Sequence, residues 1–171
     1  GRLIEISALL FADGGKRVDE FHALVSPPTE IPAFITELTG ISASMLADAE
    51  PAAEVLENFA SWLHPDAILV AHNISFDLRI MANESPTVIS NLPNTAIDSL
   101  SIARALGAFR NNKLETIGNA LCPEVSGYHR SAIDTQIVRS LLVYALECHL
   151  DRTHPKLFQG QPLRSLQGYA R

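Results

Sequence analysis

Residues 3 to 11, LIEISALLF, are almost continuously apolar, and residues 18 to 25, VDEFHALV, resume the pattern after a polar break. Asp13-Gly14-Gly15 lies between them, and Asp-Gly is a strong short-range signal for a hairpin turn. The opening is therefore expected to be an antiparallel hairpin. Pro27, Pro28 and Pro32 then predict an irregular stretch. Ser42 is placed to cap a short helix ending near Leu46. In residues 52 to 63 the apolar positions Val55, Leu56, Phe59, Ala60 and Leu63 share one face, which predicts a helix stopped by Pro65-Asp66.

The run AILVA at 67 to 71 reads as a short strand apolar on both sides, the pattern of a central strand covered on both faces. The next helix is expected from Phe76 to Met81, and another short strand at Thr95 to Ile97. Asp98 is a candidate cap for a helix from Ser99 to Leu106, with Gly107 as its stop. Leu114, Ile117 and Leu121 mark a further helix. The longest helix is predicted from about Ser131 to Leu150, its apolar face built from Ile133, Ile137, Val138, Leu141, Leu142 and Ala145. Strands first, then strands alternating with helices, predict an α/β domain with a mixed sheet. Functional sites in such sheets gather at the carboxyl ends of strands, which directs attention to the segment after Ala71. Residues 1–150 are expected to form the domain. Residues 151–171, with Pro155, Gly160, Pro162 and Gly168, read as an extension or tail.

Composition narrows the class. A length of 171 residues suits one domain, and 47% apolar against 19% charged residues argues against disorder. No apolar run approaches the roughly 18 residues of a membrane span, so no membrane partner is expected. The start lacks the basic region, long apolar stretch and cleavage site of a signal peptide. Cys122 and Cys148 form neither a metal-ligand spacing nor a disulfide framework, and as packed, reduced thiols they fit a cytoplasmic protein. The net charge of −6 argues against tight non-specific duplex binding through many phosphates. It leaves room for a nuclease whose metal ions neutralise carboxylates and contact the phosphate.

Three ionisable residues stand out. Asp77 opens a helix shortly after a buried-type strand, and reads either as a helix-start carboxylate favoured by the dipole or as a functional group. Asp134 shares a helical face with Val138, Leu141 and Ala145, where a carboxylate is costly without a partner. Arg130 and a metal ion are the two candidates for that partner. His129, in the loop before the long helix, is either a surface residue or a group able to act as a general base near neutral pH.

Leu69-Val70-Ala71-His72-Asn73-Ile74-Ser75-Phe76-Asp77 resembles the second motif of the DnaQ-like DEDDh 3′→5′ exonucleases, a strand followed by His-Asn and then Phe-Asp. Tyr128-His129-Arg130-Ser131-Ala132-Ile133-Asp134 resembles the third, with histidine five residues before aspartate. Leu38-Thr39-Gly40-Ile41 resembles the family's loop after the hairpin. Ile97-Asp98-Ser99-Leu100 and Lys113 to Ile117 resemble the segment between the two motifs. Order, spacing and intervening pattern together carry the resemblance, from residue 2 to about 146. The family's first motif, an Asp-x-Glu on the first strand, would precede Arg2-Leu3-Ile4-Glu5-Ile6. Glu5 corresponds to a glutamate of the second strand and not to a catalytic one. The expectation is a fragment of a longer chain, and the other possibility is a degenerate homologue.

The resemblance implies a ribonuclease H-like mixed sheet flanked by helices, with its first strand missing from this chain. It implies hydrolysis of phosphodiester bonds from a 3′ end with two Mg²⁺ or Mn²⁺ ions. Asp77 and Asp134 would supply metal ligands, and His129 would take the proton from the attacking water. Phe76, Asn73, Leu38, Thr39, Gly40 and Ile41 would contact the substrate, although Phe76 fits the core equally well. The expected substrate is a single-stranded 3′ end, DNA being favoured over RNA by the Leu-Thr-Gly-Ile loop. Two other readings remain: an inactive pseudo-exonuclease that binds nucleic acid or protein, and a structural appendage of a polymerase, a helicase or a CRISPR adaptation protein.

Overall fold

The structure, a computed structural model, describes residues 2–12, 15–124 and 131–166. Strands β1 (Glu5–Phe11) and β2 (Arg17–Ser26) form the expected antiparallel hairpin, running from Glu5 opposite Leu24 to Leu10 opposite Asp19, with an irregularity at Phe11. The stretch expected to be irregular after Pro32 contains a helix, α1 (Ala33–Thr39). Pro32 stands immediately before its first turn, where a missing N–H breaks no intrahelical bond. Gly40 ends it at φ 71°, a left-handed conformation that glycine adopts without steric cost. Helix α2 (Ala43–Leu46) begins as predicted, with the Ser42 side chain accepting from Met45 N.

Strand β3 (Glu50–Pro51) adds parallel to β2. Helix α3 (Ala52–Trp62) follows and buries Val55, Leu56 and Phe59. Phe59 meets Phe21 of β2 edge-on at 5.4 Å, which ties α3 to the hairpin. Then come β4 (Ile68–Ala71), α4 (Ile74–Glu84), α5 (Pro86–Asn91), β5 (Thr95–Asp98), α6 (Ser99–Leu106), α7 (Leu114–Leu121), α8 (Ser131–Glu147) and α9 (Leu150–Thr153). A 3-10 turn at Pro155–Phe158, β6 (Gln161–Pro162) and α10 (Leu163–Leu166) complete the described chain.

Among the described residues the strands form two three-stranded sheets instead of one, ordered β1-β2-β3 and β4-β5-β6. Each sheet mixes parallel and antiparallel pairs. This corrects the assignment of AILVA as a central strand. β4 stands at the edge of its sheet, and Ile68 is 51% exposed. The central strand is β5, where Ala96 and Ile97 are buried. An apolar run records what a strand can bury, and neighbouring strands decide whether it does. β1 is likewise an edge strand, half-buried at every position.

Helix α8 packs against both β1 and β4, and against α6 and α7. Ile137, Leu141 and Ala145 are fully buried on the predicted face and Val138 nearly so. The helix ends at Glu147, slightly earlier than expected, because His149 turns into the left-handed region at φ 56°. The expected tail folds back onto the domain. Thr95 and Ala96 of β5 pair with Pro162 and Gln161, and Leu163 is buried in the cluster formed by α3, α4 and α5. Residue 150 is therefore no break in packing. Short paired segments with few apolar residues give almost no periodic signal, so the sequence could not show this.

Candidate active site

The site is built around the exit from β4. Ala71 lies opposite Asp98 in the parallel β4–β5 register, so both strands end at one level. The chain leaves β4 through His72 and Asn73, and Asn73 adopts a left-handed conformation (φ 66°, ψ 48°) that asparagine tolerates better than most residues. Asp98 holds this turn. Its Oδ1 accepts from Asn73 N at 2.8 Å and from Leu100 N at 3.1 Å, and its Oδ2 accepts from Ser101 Oγ at 3.2 Å. One carboxylate thus caps α6 and fixes the backbone that launches α4. His72 closes the other side: Nε2–H donates to the Asn112 carbonyl at 2.8 Å, and Nδ1 pairs with Ser99 Oγ at 3.1 Å. Ser99 is fully buried, so this bond gives a desolvated hydroxyl its partner.

Asp77 sits in the first turn of α4, beyond the carboxyl end of β4. Its carboxyl is pushed up to about 7. Crowding by protein atoms is the largest cause, and the negative charges of Asp98 and Asp134 add to it, against a lowering hydrogen bond from backbone. More than a third of the residue's surface nevertheless remains accessible. Crowding and accessible area describe different things here, and the accessible area governs the energetics, because water in contact with the group screens the repulsion. Asp134, half-buried in the first turn of α8, comes close enough to repel Asp77 although 57 residues separate them. The structure therefore brings Asp134 and Asp98 within electrostatic reach of Asp77.

This set of carboxylates fits a divalent cation. Carboxylate oxygens that repel one another, one of them raised mainly by burial and further by its neighbours' charges, favour a hard cation that relieves the repulsion. Among the described residues, no group of three or more His, Cys, Asp or Glu side chains is placed to hold a metal ion unaided. His129, Tyr128 and Arg130 lie outside the described residues.

The substrate-contact expectations divide. Phe76 is 47% exposed, with the Arg79 guanidinium 5.5 Å from its ring centre, and is no core residue. Leu38 is 49% exposed and offers an apolar surface. Ile41 is 1% exposed and anchors its loop in the core. The Thr39 hydroxyl is used within the loop, donating to the Ile35 carbonyl at 2.8 Å and accepting from Ile41 N at 3.2 Å. Gly40 supplies the left-handed helix end, and the backbone of Asn73 is bound to Asp98. Asp98 was expected as a cap and as part of a stretch resembling the family, not as a site residue. Its place at the end of a strand beside β4 is the feature that links it to the site, and that requires the sheet register.

A family model described as exonuclease, RNase_T, matches residues 1–142. The chain belongs to this exonuclease family. The exonuclease domain is 35% identical over 148 residues to the PolC-type DNA polymerase III of Bacillus subtilis, covering 85% of this chain and 10% of that protein. With the PolC-type DNA polymerase III of Thermotoga maritima it shares 32% over 168 residues, 98% of this chain and 12% of that protein. The chain thus spans about a tenth of the length of these relatives. Two solved structures share the fold. One is the nuclease domain of 3′hExo, a DEDDh family member, bound to rAMP (TM-score 0.70, 20% identity, 86% of this chain and 82% of that one). The other is Exonuclease X in complex with 5′ overhanging duplex DNA (TM-score 0.66, 22% identity, 96% and 90%). Among the described residues of the exonuclease domain, no helix is long and apolar enough to cross a membrane.

Proposed function

We propose that this chain is the 3′→5′ exonuclease domain of a longer, polymerase-associated protein, removing nucleotides from a single-stranded DNA 3′ end. The observation that carries the reading is the convergence of Asp77 and Asp134 from α4 and α8 at the carboxyl end of β4. Asp77 and Asp134 would hold metal ions through their carboxylate oxygens. Bound Mg²⁺ or Mn²⁺, two ions in the complete site, would grip the scissile phosphate and acidify the attacking water. His129 takes the proton from that water. Phe76 and Leu38 present exposed apolar surface beside the terminal nucleotide, and Asn73 and Gly40 shape the backbone there. In the family's pattern the remaining ligands would come from a further strand carrying an Asp-x-Glu pair. The apolar edge strands β1, half-buried throughout, and β4, with Ile68 exposed, both pack on α8 and support a place for such a strand.

The test uses the full natural protein, 3′-labelled single strands of DNA and of RNA, and a Mg²⁺ series. Asp77→Ala and Asp134→Ala should lose turnover and metal binding together. His129→Ala should lose about 10²–10⁴-fold in turnover while keeping metal binding, as expected for loss of a general base. Wild-type protein that binds single strands without shortening them would instead establish the inactive binding module.

A further inference from the structure

Glu5 lies on β1, and its carboxylate is almost wholly buried, with only 6% of the side chain exposed. A buried carboxylate is costly unless its oxygens are bonded. Both are. Oε1 pairs with His22 Nε2 at 2.9 Å, and Oε2 accepts from Ser131 N at 3.1 Å. Ser131 is the first residue of α8, 126 positions along the chain. The first N–H groups of a helix have no partner within the helix, and a negative charge there is favoured by the dipole. Glu5 therefore seats the start of α8 on the hairpin.

A second contact fixes direction. Arg139, further along α8, stacks its guanidinium 5.0 Å from the ring centre of Phe11 and donates to the Gly15 carbonyl at 3.3 Å. The first residue of β1 meets the first residue of α8, and the last residue of β1 meets Arg139. Strand and helix run the same way, held at two points. Asp134 lies three residues beyond Ser131, about 4.5 Å along the helix axis. Any slide or fraying of the first turn of α8 moves Asp134 directly.

We propose that Glu5 is a positioning residue of the active site, setting the axial seat of α8 and through it the place of the Asp134 carboxylate. The proposal rests on the exonuclease reading above. It assigns Glu5 a role exerted through α8 and Asp134.

Three variants of the full natural protein test it. Ser131→Pro removes the α8 N–H that Glu5 Oε2 accepts, at a helix position where proline is tolerated. Glu5→Ala removes the acceptor. Glu5→Gln keeps an oxygen for Ser131 and an amide for His22, and should rescue. The readouts are the Mn²⁺ dissociation constant by electron paramagnetic resonance, hydrogen exchange of the first-turn amides of α8 in metal-free protein, and kcat against KM on single-stranded DNA. Ser131→Pro and Glu5→Ala should weaken Mn²⁺ binding by about 10–100-fold, the range for loss of an outer-shell partner. They should lower kcat with KM little changed. Glu5→Ala should also speed first-turn exchange. Arg139→Ala, at the other contact, should lower the melting temperature without the change in Mn²⁺ binding. If Glu5→Ala does not fold, Ser131→Pro decides alone. Wild-type Mn²⁺ binding in Ser131→Pro would overturn the role of Glu5. An inactive wild-type protein would overturn the exonuclease reading itself, which is a different result.

Discussion

Asp77 enters its helix from a turn that leaves β4 directly, whereas Asp134 enters from a helix whose start is held by a strand at the far end of the chain. The Asp77 mount is compact: Asp98 bonds Asn73 N, Leu100 N and Ser101 Oγ, and His72 bridges Ser99 and Asn112. The Asp134 mount is extended: α8 lies against β1, β4, α6 and α7 and is fixed to the hairpin through Glu5 and Arg139. A turn held by hydrogen bonds is sensitive to the loss of one polar group. A helix held by apolar burial is sensitive to a cavity. The two carboxylates of one site should therefore respond to different mutations.

Leu141→Ala attacks the extended mount and carries the largest expected effect. Leu141 is fully buried, and its truncation should cost about 2–5 kcal/mol in denaturant unfolding. A loss below roughly 0.5 kcal/mol would show that α8 is not held by this face. Asp98→Ala attacks the compact mount. It removes a helix cap and leaves Asn73 N unbonded, which should cost about 1–3 kcal/mol. Amide exchange should then quicken at Asn73 and Leu100 and stay slow in the middle of α8. Equal acceleration in both regions would erase the distinction between the mounts.

Gly160→Ala tests the brace behind β5, the strand that ends in Asp98. A Cβ at residue 160 would overlap the Thr95 side chain, and overpacking of this kind costs about 1–3 kcal/mol. An unchanged melting temperature would mean that the segment before β6 does not press on β5. The smallest effect is a pH slope that reads the coupling between the mounts. Asp77 is raised from 3.8 to about 7 in the folded protein, so on raising the pH the unfolded chain releases this proton first. The folded state then binds more protons, and the stability of the metal-free protein should fall as pH rises from about 4 through about 7. Asp77→Asn should flatten that slope, as should saturating Mg²⁺. A slope unchanged in Asp77→Asn would assign it to other groups.

The same division between local and long-range structure marks what could be read from the chain alone. Residues 52–62, 99–106 and 114–121 were legible as helices because apolar spacing, caps and stops act within a few residues: Asp98 caps α6 and Gly107 ends it at φ 59° as expected. The hairpin followed from two apolar runs and a turn. Asp77, His129 and Asp134 were picked out by residue type and spacing, without any geometry. Helix α1 escaped because prolines suggested irregularity where Pro32 in fact precedes a first turn.

Tertiary structure decided the rest. Only sheet pairing made β5 central and left β4 at an edge, since an identical apolar run serves either place. Only packing showed Ile41 buried and Phe76 exposed, because both are large apolar residues beside turns. Glu5 meeting Ser131, and Asp98 meeting Asn73, join residues far apart along the chain. A sequence records which groups need partners, through the cost of burying charge and the period of apolar positions. Which partner each group finds depends on contacts closed across the whole chain.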